Sequence, residues 1–206
     1  MTFPKKILNL YAGAGGNRKL WENVSVIAVE NDFDIANIYE TFFPDDIVVR
    51  EDAHEYLLNH YKEYDFIWSS PPCTTHSELK RMGILKGSTK PIYPDLTLYE
   101  EIIFLKEYCK KPWIVENVKP YYEYLIKPNY RIGRHAFWCN FVMKPFYPKQ
   151  EGRIVKTRIK EGRYGFDLTP FKVQSEKGKL KRRVLRNLID PELGLHILNC
   201  AIGELN

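Results

Sequence analysis

The sequence predicts an α/β fold, a mostly parallel sheet with helices on both faces. Three observations predict it. Over the first 120 residues short apolar runs alternate with helical stretches, the signature of βαβ units. A glycine-rich turn follows the first apolar run directly. The residues able to do chemistry cluster at the carboxyl ends of the predicted strands, where ligands bind in sheets of this kind.

Residues 7–11 read as the first strand and 24–29 as the second. A short third follows at 47–49, a fourth includes 66–68, and a fifth spans 113–118. Between them the helical candidates are about 17–22, 33–42, 53–61 and 95–108. In the last, Leu96, Tyr99, Ile102, Ile103 and Tyr108 recur at helical spacing behind the start signal Pro94-Asp95. From about 119 tyrosines and prolines cluster, and β-like pieces appear at 135–141 and 152–160. The run from Glu176 to Arg183 reads as a loop. A closing helix at 191–202 puts Leu193, Ile197, Leu198 and Ala201 on one face.

The chain has 206 residues, 44% hydrophobic and 28% charged, a composition for a globular domain rather than a disordered one. No run of about 18 apolar residues suggests a membrane span. The N-terminal stretch reads as a strand rather than a secretion signal. Cys73, Cys109, Cys139 and Cys200 are widely spaced, with no C-x-x-C pair. This argues against a zinc site or a disulfide framework and fits a reducing, cytoplasmic compartment.

The net charge of +5 is unevenly spread. Residues 141–186 hold 14 Lys/Arg against 4 Asp/Glu, a balance of +10, while residues 1–140 stand at −2. A local basic surface favours approach to a polyanion such as nucleic acid. A solvated lysine-rich loop reads the same way.

Tyr11-Ala12-Gly13-Ala14-Gly15-Gly16 follows the first strand. Glycines there let the backbone turn tightly and approach a ligand. The dinucleotide fingerprint would need a third glycine where Arg18 stands, which disfavours a nicotinamide oxidoreductase. Glu30-Asn31 ends the second strand, where an acid can accept from ribose hydroxyls or sit at a helix start. Asp52-Ala53 follows the third strand, either to meet an adenine amino group or to cap the next helix. The fourth strand runs into Ser69-Ser70-Pro71-Pro72-Cys73. A thiol there, after two stiffening prolines, is a candidate nucleophile, the alternative being a small core residue. Glu116, in Val115-Glu116-Asn117-Val118, ends an apolar strand and is a candidate proton donor.

In order and spacing these motifs resemble the DNA cytosine-C5 methyltransferase family. The resemblance covers about residues 7–118 and returns at the C-terminus, where the stretch from Arg186 to Ile197 looks like the family's final motif. It implies a Rossmann-like S-adenosylmethionine-dependent fold and the transfer of a methyl group to C5 of a cytosine flipped out of duplex DNA. It places Tyr11, Ala12, Gly13, Gly15, Gly16, Glu30, Asn31, Asp52, Ala53, Ser70 and Asn187 around S-adenosylmethionine. It makes Cys73 the nucleophile that adds to C6 and Glu116 the partner of the ring's N3. It implies a closing loop from Ser77 to about Tyr93, with Ser77, Lys80 and Arg81 toward nucleic acid, joined by Lys181, Arg182 and Arg183 of the basic stretch.

The chain departs from the family's pattern at Asn9, where an acid commonly stands, and at Thr74, where Gln is usual. The Gln-x-Arg-x-Arg motif is broken; the nearest stretch is Tyr130-Arg-Ile-Gly-Arg-His-Ala-Phe-Trp138, leaving Arg134 or Arg131 to orient the catalytic groups. The expected organisation is a catalytic core at 1–140, a basic recognition segment at 141–186 and a C-terminal motif at 187–206 that packs back on the core. Only 68 residues (119–186) separate the Glu-Asn-Val strand from that motif, too few for a full target-recognition domain. An amino-directed methyltransferase is disfavoured, because its Pro-Pro precedes an aromatic rather than Cys73. An RNA cytosine-C5 methyltransferase and a pseudoenzyme that binds cofactor and DNA stay open, as do restriction-modification, self-protection and regulation.

Overall fold

The computed structural model describes residues 4–147, 162, 164–171 and 179–203. These form a seven-stranded sheet in the order β3-β2-β1-β4-β5-β7-β6. The strands are β1 (Lys5–Leu10), β2 (Val24–Val29), β3 (Ile47–Val49), β4 (Phe66–Ser69), β5 (Trp113–Val118), β6 (Tyr130–Ile132) and β7 (His135–Cys139). The first five are parallel; β7 joins β5 antiparallel and carries β6 as its edge. The chain starts in the middle of the sheet and winds first to one side, through β2 and β3, then to the other, through β4 and β5. The crevice at that reversal is where an open α/β sheet binds ligands.

The helices are α1 (Phe33–Phe42), α2 (Ala53–His60), α3 (Glu78–Leu85), α4 (Thr97–Tyr108), α5 (Lys179–Asn187) and α6 (Pro191–Ile202). Strand alternation sorts the core onto two faces. Leu8, Leu10, Val29, Ile67 and Val115 pack with Leu57 of α2 and with Leu98, Ile102 and Leu105 of α4. On the opposite face Ile7, Trp68 and Ile114 pack with Leu193, Ile197 and Leu198 of α6. Beside them Ala28, Ile35, Ile38 and Tyr39 meet Leu180, Val184 and Leu185 of α5. Among the described residues no helix is long and apolar enough to cross a membrane.

Side-chain caps set several helix starts. Asp32 accepts from Ile35 N, Asp52 from His54 N and Glu55 N, Ser77 from Lys80 N, and Asp190 from Glu192 N.

Four readings from sequence are corrected. Residues 17–22 form no helix; Gly15, Arg18 and Trp21 donate in succession to carbonyls three residues back, a chain of tight turns that brings Trp21 into the core. The closing loop predicted from Ser77 begins instead as α3, because Ser77 caps it. The stretch ending at Arg183 is not a loop throughout: from Lys179 it is helical, with Leu180, Val184 and Leu185 buried on one face. In α4 the buried face is Leu98, Tyr99, Glu101, Ile102 and Leu105, whereas Leu96, Ile103 and Tyr108 are exposed. The β-like reading at 152–160 lies outside the described residues.

Candidate active site

A cavity of about 460 Å³ opens at the carboxyl ends of the central strands, within the usual range for small-molecule sites of about 300–1,000 Å³. Its walls carry Tyr11, Ala12, Gly13 and Gly16 from the turn after β1, Glu30 and Asn31 from the end of β2, and Asp52 from the start of α2. Ser70 and Cys73 come from the loop after β4, Glu116 from β5, Arg134 from the β6–β7 turn, and Arg183 and Asn187 from α5. Thus most of the residues singled out in sequence meet in one cleft.

Gly15 and Ala53 do not line it. Gly15, at φ +80°, lies where a Cβ would stand 2.2 Å from the Phe43 ring, so it lets the turn pack on α1. Ala53, the first residue of α2, is buried in the core. Arg131 is exposed on β6 outside the cavity. Ser77, Lys80 and Arg81 belong to the start of α3, where Arg81 pairs with Glu78 at 3.7 Å. Lys181 and Arg182 are exposed on α5, away from the cavity wall.

At one end of the cleft Glu30 accepts from the backbone N–H of Gly13 at 3.0 Å and of Asp32 at 2.9 Å. Burial pushes its carboxyl up, outweighing those two donors. Arg183 reaches across from α5 to form an ion pair with Asp32. Beneath the turn lies Glu101 of α4, wholly buried. It accepts from Tyr11 Oη at 2.6 Å and Ser69 Oγ at 2.5 Å, and its Oε1 lies 3.3 Å from His54 Nδ1. Burial, and then this carboxylate, hold the Tyr11 phenol well above its ordinary range, so the hydroxyl keeps its proton to donate.

At the other end the loop after β4 is held from several sides. The Asn117 side chain donates to the Pro71 carbonyl at 2.9 Å. Buried His76 shares a 2.6 Å hydrogen bond with Tyr122 Oη, and the Tyr121 N–H donates to the His76 carbonyl at 3.0 Å. Asp95 N donates to Thr75 Oγ1 at 3.0 Å. Cys73 itself is half-buried. Burial pushes its thiol up and the Glu116 charge adds to the effect, while Arg134 and Arg186 pull it back. Glu116, buried, lies with Oε1 2.5 Å from Nδ1 of His135. A thiol, a carboxyl group and the arginines Arg134, Arg183 and Arg186 thus face one cavity, an arrangement able to support addition of a thiol to an electron-poor ring.

Glu101, Asn117, His135, Asp32 and Arg186 escape the sequence reading. For Glu101 a signal exists: an acid at the helical spacing of Leu98, Ile102 and Leu105. Asn117 and His135 stand beside residues that were singled out, but their partners are remote in sequence.

The family model described as C-5 cytosine-specific DNA methylase matches residues 5–123. Among solved structures, the methyltransferase EhMeth of Entamoeba histolytica shares 9% identity at a TM-score of 0.55, with all of both chains covered, a likeness of fold. A prophage-encoded E. coli protein described as a DNA modification methyltransferase shares 21% identity at a TM-score of 0.37, over 58% of this chain and 33% of its own. A DNMT2 variant from Spodoptera frugiperda shares 22% at 0.40, over 56% and 36%. The chain thus spans about a third of the length of those two. No curated protein matches it. The fold is the Rossmann-like methyltransferase fold, and because the family match runs across more than half of its residues, this chain belongs to the C-5 cytosine-specific DNA methylases.

Proposed function

We propose that the chain transfers a methyl group from S-adenosylmethionine to C5 of a cytosine flipped out of DNA, through a covalent bond to Cys73. The observation that carries this reading is that Cys73 and Glu116 line the same cavity as the glycine turn and Glu30.

The cavity wall suits the cofactor. Glu30 is held by two backbone donors and lines the cleft wall, and it would meet the ribose hydroxyls. Asp52, also on the wall, would meet the adenine, the Tyr11–Gly16 turn the methionine part, and Asn187 would close the site from α5. When bound, the cofactor supplies an electrophilic methyl group on a sulfonium.

The protein's part begins with the Cys73 thiol, on the wall of the open cleft, losing its proton to solvent. Its sulfur bonds to C6 as the C5–C6 double bond opens, and N3 takes a proton from Glu116. The addition leaves C5 electron-rich, and so it would be the carbon to take the methyl group that the bound cofactor supplies. Solvent takes the C5 proton, its electron pair reforms the C5–C6 double bond and expels the Cys73 thiolate, and the N3 proton returns to Glu116. A stacked cytosine shields C6, so the base must leave the duplex first.

For organisation we propose the core at 1–140, phosphate contacts in 141–186, and a tail at 187–206 that completes the cofactor pocket. A soluble, reducing intracellular setting fits four free thiols among the described residues.

Incubation with S-adenosylmethionine and duplex DNA bearing 5-fluorocytosine tests the reading, since fluorine cannot leave as a proton does. A denaturation-resistant adduct is expected with the unaltered protein and absent from Cys73→Ala. Persistence of the adduct in that variant refutes the mechanism. The same assay on 5-fluorocytosine RNA decides between DNA and RNA as substrate.

A further inference from the structure

The resemblance leads one to expect an arginine beside the catalytic carboxyl. The residue found there is a histidine. In the antiparallel pairing of β5 with β7, Glu116 stands opposite Phe137 and Val118 opposite His135. Glu116 and His135 are therefore diagonal neighbours on one face of the ladder, within reach of long side chains. His135 Nδ1 lies 2.5 Å from Glu116 Oε1. Both side chains are largely buried, at 13% and 8% exposure, so water competes little for the bond.

The direction of that bond follows from a third residue. Arg134 Nε lies 3.2 Å from His135 Nε2, and a guanidinium can only donate. Nε2 therefore accepts, the ring proton sits on Nδ1, and Nδ1–H donates to Glu116. Arg134 is held in turn by its Nη2 donating to the Arg186 carbonyl at 2.7 Å. Its contact with the carboxyl thus runs through the imidazole, and Arg131 lies outside the cavity.

We infer that His135 is the positioning residue of Glu116. By occupying Oε1 as a donor, it leaves Oε2 as the oxygen that carries the proton toward N3 of the base. This rests on the proposed function and adds to it the group that decides which carboxyl oxygen faces the substrate.

The test is steady-state methyl transfer to cytosine-containing duplex DNA, together with adduct formation on 5-fluorocytosine DNA. The proteins compared are the unaltered chain, His135→Leu, which keeps bulk but has no donor, and His135→Asn, whose amide N–H can stand near the place of Nδ1. Calorimetric binding of S-adenosylmethionine checks that each variant is folded. His135→Leu is expected to lose about 10- to 100-fold in kcat, the worth of a hydrogen bond to a charged group, with KM and Kd for the cofactor within about twofold. His135→Asn is expected to recover much of the loss. The inference falls if His135→Leu keeps its kcat, if the loss appears in KM alone, or if Asn is no better than Leu. Should the unaltered protein transfer no methyl group and form no adduct, the functional reading fails and takes the inference with it. An active parent with an equally active His135→Leu sinks the inference alone.

Discussion

The side-chain amide of Asn117 donates a 2.9 Å hydrogen bond to the carbonyl oxygen of Pro71. It joins the end of β5 to the loop that carries Cys73, and so fixes Cys73 relative to Glu116. The amide is 1% exposed, leaving the bond no substitute in water. Asn117→Ala is expected to cost about 1–3 kcal/mol, since a buried carbonyl loses its donor, and to slow adduct formation on 5-fluorocytosine DNA. Urea unfolding and adduct kinetics on one preparation check both. Unchanged stability would remove Asn117 as the tie.

Cys73 should behave as a thiol reluctant to ionise. Burial and the Glu116 charge push it up, and Arg134 and Arg186 pull it down. Its alkylation by iodoacetamide, followed by peptide mass spectrometry, should rise with pH later than that of an ordinary exposed thiol. Near neutral pH Glu116→Gln should speed the reaction and Arg134→Ala should slow it. The opposite order would show that these charges do not act on the sulfur.

Glu101 gathers three groups, and two of them, Tyr11 Oη and Ser69 Oγ, depend on it as acceptor. Glu101→Ala is expected to destabilise by about 2 kcal/mol or more, because buried donors are left unmade. A pH effect accompanies this. His54 is pushed up chiefly by its hydrogen bond to Glu101, with Glu100 and Asp52 adding. A raised folded value means that the stabilisation is fully present below the unfolded value of about 6.5 and is lost as pH rises through the folded one. Melting curves across that window should fall with pH in the unaltered protein and flatten in Glu101→Gln.

The α6 helix meets the glycine turn through Gly194. A Cβ there would stand 2.2 Å from the Asn17 carbonyl oxygen and 2.7 Å from its Cα, and backbone cannot step aside. Gly194→Ala should cost about 1–3 kcal/mol by overpacking and weaken cofactor binding, since Asn17 lines the same cavity. Calorimetry that shows unaltered affinity and stability would contradict this close approach.

If α5 contacts phosphates, Lys181→Gln with Arg182→Gln should lower the salt slope of DNA binding by about two, one per lost contact. Fluorescence anisotropy over a salt series measures it. An unchanged slope moves the phosphate contacts elsewhere in the basic stretch.

Local signals in the chain determined most of the scaffold. Strand alternation, the cap Asp52, the glycine turn and the Pro-Pro-Cys and Glu-Asn-Val motifs act within a few residues, so they are legible without a fold. Where a signal was ambiguous, packing decided. The phase of α4 turned on which apolar residues met the sheet, and the basic run became α5 because three of its side chains bury against α1. Only the tertiary structure joined Asn117 to Pro71, Tyr11 to Glu101 and Glu116 to His135. Those pairs lie 46, 90 and 19 residues apart. Such bonds depend on the order and register of strands, which no short stretch of sequence encodes. That order brought a histidine, where an arginine was expected, against the carboxyl group.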